Sequence, residues 1–238
     1  MYRHRFYRKW MKADDLVSFE VKVFETDLLL FCDKLLKEET ERLVYKYRRE
    51  LLDYIDKNNS FRDSFVPIDM DRTAPEIVKD MIRKSRIAGV GPMAGVAGAI
   101  AEYTGKALLE YCLEVIIENG GDIFIESNKE RRLGIYAGTS PFSGKINLKI
   151  DPKKTPLGIC TSSGTVGHST SFGVADAATI IARDAILADC VATQTGNLVK
   201  NPDDLKIAID YAKSIDGVIG ILVIAGNKLA TWGEVELV

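Results

Sequence analysis

Hydrophobic and polar residues alternate near the start of the chain, where the segment LVSFEVKVFE (residues 16–25) has the period of a strand with one buried face. The pattern predicts two paired strands over residues 2–12 and 16–31. The polar residues 13–15 would form the hairpin turn between them. Since the first of these strands is basic and aromatic, it could be a phosphate-binding arm, but we favour a strand at a sheet edge with its Arg and Lys side chains pointing outward.

A different spacing, three or four residues between apolar positions, predicts a helix over residues 35–58 with charged residues on its other side. Another helix is predicted from Thr73, because Thr73 and Glu76 have the spacing of a capping box and Pro75 suits a first turn. Further helices are predicted over residues 108–118, where Asn119-Gly120-Gly121 would end the helix, over 185–195 after Asp184, and over 203–215 after Asn201-Pro202-Asp203.

Residues 88–103, AGVGPMAGVAGAIAEY, are rich in glycine and alanine. The spacing of Gly89, Gly91, Gly95 and Gly98 is similar to that of a dinucleotide-binding loop, but such a loop follows a strand and here a helix comes first. We therefore favour a helix whose small residues allow close packing over a phosphate-binding loop. An anion could still bind at the start of this helix, near Pro92.

Short strands separated by turn residues dominate the second half of the chain. Strand pairs at both ends with helices between them are typical of an α+β fold rather than of alternating βαβ units. We expect a single α+β domain over residues 1–238, built mainly from antiparallel sheets and packed helix pairs, and two similar fused halves fit this layout. The predicted strands are an antiparallel meander at 122–127, 132–137, 145–150 and 157–161, a strand at 178–182, and a closing hairpin at 217–224 and 229–238.

Composition adds limits on partners. The chain has 238 residues, of which 46% are hydrophobic and 28% charged, and its net charge is −2 without a long block of one sign. These values predict a globular protein with no nucleic-acid partner. No apolar run reaches the roughly 18 residues that span a bilayer, and the N-terminus lacks a signal peptide, so we expect no membrane partner and a cytoplasmic location.

Four cysteines, Cys32, Cys112, Cys160 and Cys190, lie far apart in the sequence. The absence of a CxxC pair argues against a zinc site and against a disulfide framework. We expect buried thiols in a reducing compartment.

Candidate chemistry concentrates in residues 160–193. Asp189 is the only charge between Asp184 and Lys200, in a helix that is apolar nearly all round and is therefore predicted to be buried. Thr193 lies four residues later on the same face, and this pair suits a hard cation, magnesium or calcium. The alternative is that Asp189 accepts hydrogen bonds from backbone amides and Thr193 bonds its own helix, and spacing alone favours this alternative.

A loop rich in glycine and hydroxyl groups, residues 161–172, precedes that helix. Converging amides and hydroxyls there could hold a phosphate or carboxylate, and His168 could act as a general base or ligand. The alternative is an ordinary loop with a structural histidine. The residues concerned are Thr161, Ser162, Ser163, Gly164, Thr165, Gly167, His168 and Ser169.

An ordered set of motifs resembles the ApbE-like superfamily over roughly residues 88–195. The set comprises GPMAGVAGAIAE, NGGD at residues 119–122, TSSG at 161–164, His168, and ATIIARDAILADCVAT at 178–193. The likeness is greatest to a smaller, cytoplasmic branch of the superfamily. Characterised members transfer FMN from FAD to protein threonines with magnesium, so the resemblance implies an ApbE-like α+β fold, a flavin ligand (FAD or FMN), magnesium and an acceptor protein.

The resemblance also implies roles for individual residues and favours the metal interpretation of Asp189. Asp189 and Thr193 would be the metal ligands, and His168 would approximate the catalytic histidine. The nucleotide cleft would be lined by Asn119, Gly120, Gly121 and Asp122, with the hydroxyl-rich residues 161–165 beside them.

Three departures from the transferase pattern leave more than one function open. Ala97 stands where the transferases have lysine, the segment after His168 is short, and no export signal is present. The first hypothesis is a magnesium-assisted enzyme acting on a flavin diphosphate. The alternative is a non-catalytic module that binds a flavin, nucleotide or pterin, and a third is an oligomerisation subunit that packs through the glycine-rich helix as a homo-oligomer.

Overall fold

The computed structural model describes residues 6–11, 13–165 and 171–238, in which ten strands form two antiparallel sheets. The strands are β1 (Val17–Val23), β2 (Thr26–Cys32), β3 (Val115–Asn119), β4 (Asp122–Glu126), β5 (Arg131–Gly134), β6 (Asn147–Ile150), β7 (Leu157–Ser162), β8 (Ala177–Ala182), β9 (Val218–Ala225) and β10 (Lys228–Gly233). Eight of them form one sheet in the order β1-β2-β3-β4-β7-β8-β9-β10, and β5 pairs only with β6.

Six α-helices lie in the described residues and cover one face of the large sheet. They are α1 (Lys37–Ile55), α2 (Asn59–Asp63), α3 (Glu76–Ala88), α4 (Val96–Leu108), α5 (Ala185–Leu198) and α6 (Leu205–Lys213). The larger core lies between the helices and the sheet. A smaller core lies on the other face, to which Leu148 and Ile150 of β6 and Ile135, just after β5, contribute. None of the helices described is both long and apolar enough to cross a membrane.

The α+β fold is confirmed, and the arrangement of a strand pair, helices and a second strand pair occurs twice along the chain. The predicted meander is wrong in its middle. Residues Asp122 and Cys160 are paired directly, so β4 is the neighbour of β7 while β5 and β6 leave the sheet. Strand β7, whose first four residues are all buried, joins the middle of the large sheet, and the half-exposed β5 is left outside it.

The N-terminal prediction is also wrong. Residues Phe6–Trp10 form a 3-10 helix, and β1 pairs instead with β2 through a turn at Phe24, whose φ is 53°. Arg8 points inward rather than outward: its guanidinium bonds the carboxylates of Glu118 and Asp27 at 2.6–2.7 Å. A buried arginine requires such paired charges, and alternation alone does not reveal them.

Two helix boundaries differ from the prediction. The helix expected to run to residue 118 ends at Leu108, because the apolar segment VIIEN is strand β3, buried along its whole length. The capping box at Thr73 is absent: Thr73 bonds Asp71, and α3 begins after Pro75 without a side-chain cap.

Candidate functional site

The NGGD segment forms the tight turn between β3 and β4, not the end of a helix. Asn119 and Asp122 are paired residues of the hairpin, and Gly120 and Gly121 have φ of 75° and 111°, which only glycine adopts readily. The Glu118 carboxylate accepts a hydrogen bond from the Gly121 amide at 3.0 Å. At the two glycines the backbone of the turn is not covered by side chains of its own, and the turn lies at the edge of the helix layer.

Asn119 and Asp122 lie on the sheet face that carries the helices. The Asn119 side-chain amide donates to the carbonyl of Ala97 in α4 at 3.1 Å. Asp122 is paired with Cys160, whose thiol donates to the carbonyl of Ala185 in α5 at 3.3 Å. The turn therefore lies next to both helices.

Helices α4 and α5 cross at very short distance because glycines lie at the contact. A Cβ atom on Gly98 would lie 2.3 Å from the Ala185 carbonyl oxygen, and one on Gly95 would lie 2.7 Å from the Cys190 sulfur. The predicted close packing of the glycine-rich helix is confirmed. Its partner is α5 of the same chain.

The close crossing brings the Asp189 carboxylate to the first turn of α4. One oxygen, Oδ2, accepts the Gly98 amide at 2.9 Å, in a residue that is only 8% exposed. A carboxylate of the chain itself thus occupies the first turn of α4, a few residues after Pro92, where an anion could have bound. The alternative in which backbone amides bind Asp189 holds for this oxygen.

The electrostatics of Asp189 are unusual. Burial first, and then the negative charge of Asp122, raise the pKa of Asp189 well above its ordinary value, against the effect of the amides of Gly98 and Ala97. Within the described part of the chain, no lysine or arginine forms an ion pair with Asp189. The buried Asp189 carboxylate thus lies near the negative charge of the half-buried Asp122 and has no ion pair with a lysine or arginine of the described residues.

Thr193 and Ser162 lie close to the same place. Thr193 is half-buried one turn after Asp189, and Gly196 continues this face of α5 toward Ser162. A Cβ on Gly196 would lie 3.6 Å from the Ser162 hydroxyl. Thr161, in contrast, lies on the opposite face of β7, where its hydroxyl bonds that of Thr179 at 2.9 Å.

The described residues 163–165 of the predicted loop bond one another and residues 175 and 176. Ser163 accepts the amide of Thr165 at 3.2 Å, and the Thr165 hydroxyl donates to Asp176 at 2.9 Å. Gly164 packs so closely on Gly173 that a Cβ would lie 2.0 Å from the Gly173 carbonyl oxygen. Gly167, His168 and Ser169 fall outside the described residues, so the role of His168 stays a prediction.

Sequence comparison identifies the family. The model of a family described as AbpE bacteria matches residues 8–218. The chain belongs to this AbpE family. UPF0280 protein MJ1526 of Methanocaldococcus jannaschii is 41% identical over 221 residues, which are 90% of each chain. A UPF0280 protein of Methanothrix thermoacetophila is 44% identical over 200 residues, which are 83% of this chain and 84% of the relative.

Solved structures relate this AbpE-family chain to the ApbE fold. The apo form of the flavinyl transferase ApbE from Pseudomonas stutzeri aligns with a TM-score of 0.63 and 13% identity, over 91% of this chain and 94% of the other. An ApbE protein from Thermotoga maritima aligns with a TM-score of 0.62 and 11% identity, over 90% and 96%. At such identities the likeness establishes the fold, and the predicted resemblance to ApbE is confirmed.

One residue of this region was missed by the sequence analysis of the AbpE-family chain. Glu102 in α4 accepts the amides of Ala185 and Ile186 at 2.7 and 3.2 Å, at the start of α5, and pairs with Lys106. Asp184 caps the same helix end as predicted, accepting the Leu187 amide at 2.7 Å. A carboxylate in the apolar segment VAGAIAEY is the signal that marks Glu102, as it marks Asp189.

Proposed function

We propose that this protein binds a flavin nucleotide, acting on its diphosphate, together with a magnesium ion held by Asp189 and Thr193. The observation that carries the proposal is the buried Asp189 carboxylate, which lies beside Asp122 without a cation from the described residues. An ApbE fold, which the solved flavin transferases share, supports the flavin as the ligand.

The donor set fits a hard cation. Carboxylate and hydroxyl oxygens are the ligands that magnesium prefers, and Asp189, Asp122 and Thr193 supply both kinds. Oδ2 of Asp189 accepts the Gly98 amide, so the second oxygen is the one proposed to face the ion. When bound, the ion would supply the positive charge that offsets a diphosphate.

The residues of the chain would bind and orient the ligand. Gly120 and Gly121 leave the backbone of the turn open to close approach by a phosphate, since neither has a side chain. Asn119 fixes the turn to α4, and Ser162 offers a hydroxyl from the end of β7. Ser163, Gly164 and Thr165 would support the end of β7 rather than contact the ligand, because they bond each other, the carbonyl of Ala175 and the carboxylate of Asp176.

Transfer of FMN to an acceptor protein is the finer form of the proposal, with His168 moving the proton. The alternative is a module that binds the flavin without consuming it. Ala97 favours this alternative: it has no side-chain amine, and its carbonyl already accepts the Asn119 amide. In either form the whole chain acts as one cytoplasmic domain, alone or as a homo-oligomer.

Calorimetric titration of the full chain with FAD, with and without magnesium, tests the proposal. We expect FAD binding that magnesium strengthens, and we expect Asp189→Asn to remove the magnesium effect. Glu102→Gln is the matched control, because it alters a buried carboxylate of the same helix pair that is already paired with lysine. Equal FAD affinity with and without magnesium would overturn the metal assignment.

Incubation with FAD, magnesium and candidate acceptor proteins separates the two forms. Release of AMP with a gain of FMN mass on a protein would identify a transferase. Bound but unchanged FAD would identify the binding module, and no binding of FAD, FMN, nucleotides or pterins would exclude both.

A further inference from the structure

A second group of metal-ligating side chains lies at the other end of α4. Cys32 ends β2, and Cys112 lies in the loop between α4 and β3. Their sulfur atoms and a carboxylate oxygen of Asp33 all lie within 4.8 Å of one another. Since α4 has 13 residues, and a helix rises about 1.5 Å per residue, this group is roughly 20 Å from the first turn of α4.

The fold holds the two loops of this group together. One oxygen of Asp33 accepts the amides of Leu113 and Glu114 at 3.1 and 3.4 Å. The Lys34 ammonium donates to the carbonyl of Tyr111 in the same loop. The three ligand atoms are therefore positioned by backbone contacts on both sides.

Cys32 and Cys112 are 0% and 4% exposed, whereas Asp33 is exposed. The Cys32 thiol donates to Asp33 Oδ1 at 3.7 Å, and the Cys112 thiol donates to the carbonyl of Leu108 at 3.1 Å. A tetrahedral ion with metal–sulfur bonds of about 2.3 Å needs ligand atoms roughly 3.5–4 Å apart. The group therefore needs little movement to surround such an ion.

We propose that Cys32, Cys112 and Asp33 bind a thiophilic divalent cation of the Zn²⁺ class, with a fourth position open to solvent beside Asp33. Soft thiolate ligands select such an ion over magnesium, so this site is separate in chemistry as well as in place from Asp189. Binding converts both thiols to thiolates and releases two protons to solvent. The ion would join the β2–α1 and α4–β3 loops.

Titration of the reduced full chain with Co²⁺ and then Zn²⁺ tests the site. We expect the absorption bands of thiolate-bound cobalt, displaced by zinc, at one ion per chain. Cys32→Ser and Cys112→Ser should abolish these bands, and Asp33→Asn should weaken cobalt binding by at least about tenfold. Cys160→Ser and Cys190→Ser are matched controls, because those two thiols are equally buried but lie elsewhere, and they should keep the bands.

Cobalt bands that persist without both Cys32 and Cys112 would overturn the site, as would bands that are absent from the reduced chain. A Cys32–Cys112 disulfide that withstands reduction, detected by a mass two units lower, would also contradict it. Asp33→Asn keeps the test decisive if a cysteine variant fails to fold, since Asp33 is exposed and its substitution spares the core. None of these readouts depends on flavin, so they are independent of the proposed function.

Discussion

Glu102 and Asp189 are two buried carboxylates in one pair of crossing helices, and each accepts amides from the first turn of the other helix. Burial raises the pKa of both. Each also has a neighbouring carboxylate that raises its pKa, Asp184 for Glu102 and Asp122 for Asp189, but only Glu102 has an ammonium, that of Lys106, to oppose it among the described residues. Both carboxylates accept amides at the start of a helix, but within the described chain only Glu102 also has a cation beside it. The position of that cation at Asp189 is where we propose the magnesium ion.

The largest expected effect comes from Asp189→Asn. The asparagine oxygen can still accept the Gly98 amide, so the fold should persist while the charge that holds magnesium is lost. We expect the gain in FAD affinity that magnesium gives to fall by at least about 10-fold, since even a group that only supports a metal ligand contributes about 10- to 100-fold. Calorimetry in the presence and absence of magnesium measures it.

Glu102→Gln is the control for that change. It removes the ion pair with Lys106 but keeps an acceptor for the Ala185 amide, so stability should fall while the magnesium effect remains. If both variants lost the magnesium effect equally, the distinction between the two carboxylates would be wrong.

Gly98→Ala should push α4 and α5, the helices that carry the two carboxylates, apart. Its Cβ would meet the Ala185 carbonyl oxygen at 2.3 Å, and overpacking of this kind costs about 1–3 kcal/mol of unfolding free energy. Gly196→Ala is the matched substitution within α5, where the nearest atom is at 3.6 Å. There we expect no loss, or a gain of up to about 1 kcal/mol, in urea unfolding.

The third prediction concerns pH. Because the pKa of Asp189 is raised, the folded chain binds more protons than the unfolded chain between the unfolded value of 3.8 and the folded one. Its contribution to stability is therefore full below 3.8 and is lost as pH rises through the folded pKa. In urea unfolding, the stability of Asp189→Asn relative to the wild type should increase as pH rises, and magnesium should reduce this difference. A difference in unfolding free energy that does not change with pH would contradict the raised pKa of Asp189.

The smallest effect is expected from two neighbours in β7. Ser162→Ala removes a hydroxyl near Gly196 and should weaken FAD binding a few-fold, about 1 kcal/mol or less. Thr161→Val changes the opposite face of the sheet and should leave FAD affinity unaltered. Equal effects in both variants would mean that the ligand does not lie on the helix face.

Sequence could predict the burial of Asp189, because a lone charge in an apolar helix has no exposed face to occupy. It could not predict the Gly98 amide as its partner, since the two residues are 91 positions apart and meet only when α4 and α5 cross. The same limit hid the Cys32–Cys112 pair, because spacing rules examine neighbours along the chain. The prediction of a helix over residues 115–118 was wrong for another reason: a short apolar run buried on both faces has no period that distinguishes a strand from a helix.

The contacts of Tyr7 and Arg8 with Glu118 have a practical consequence for anyone preparing this protein. Glu118 accepts the Tyr7 hydroxyl with the same oxygen that accepts the Gly121 amide, while Arg8 binds its other oxygen from the face of the sheet opposite the helices. Trimming the chain past residue 8 would remove both the Tyr7 hydroxyl and the Arg8 guanidinium from the Glu118 carboxylate directly behind the glycine turn. Residues 7 and 8 should therefore be kept in any shortened form of the protein.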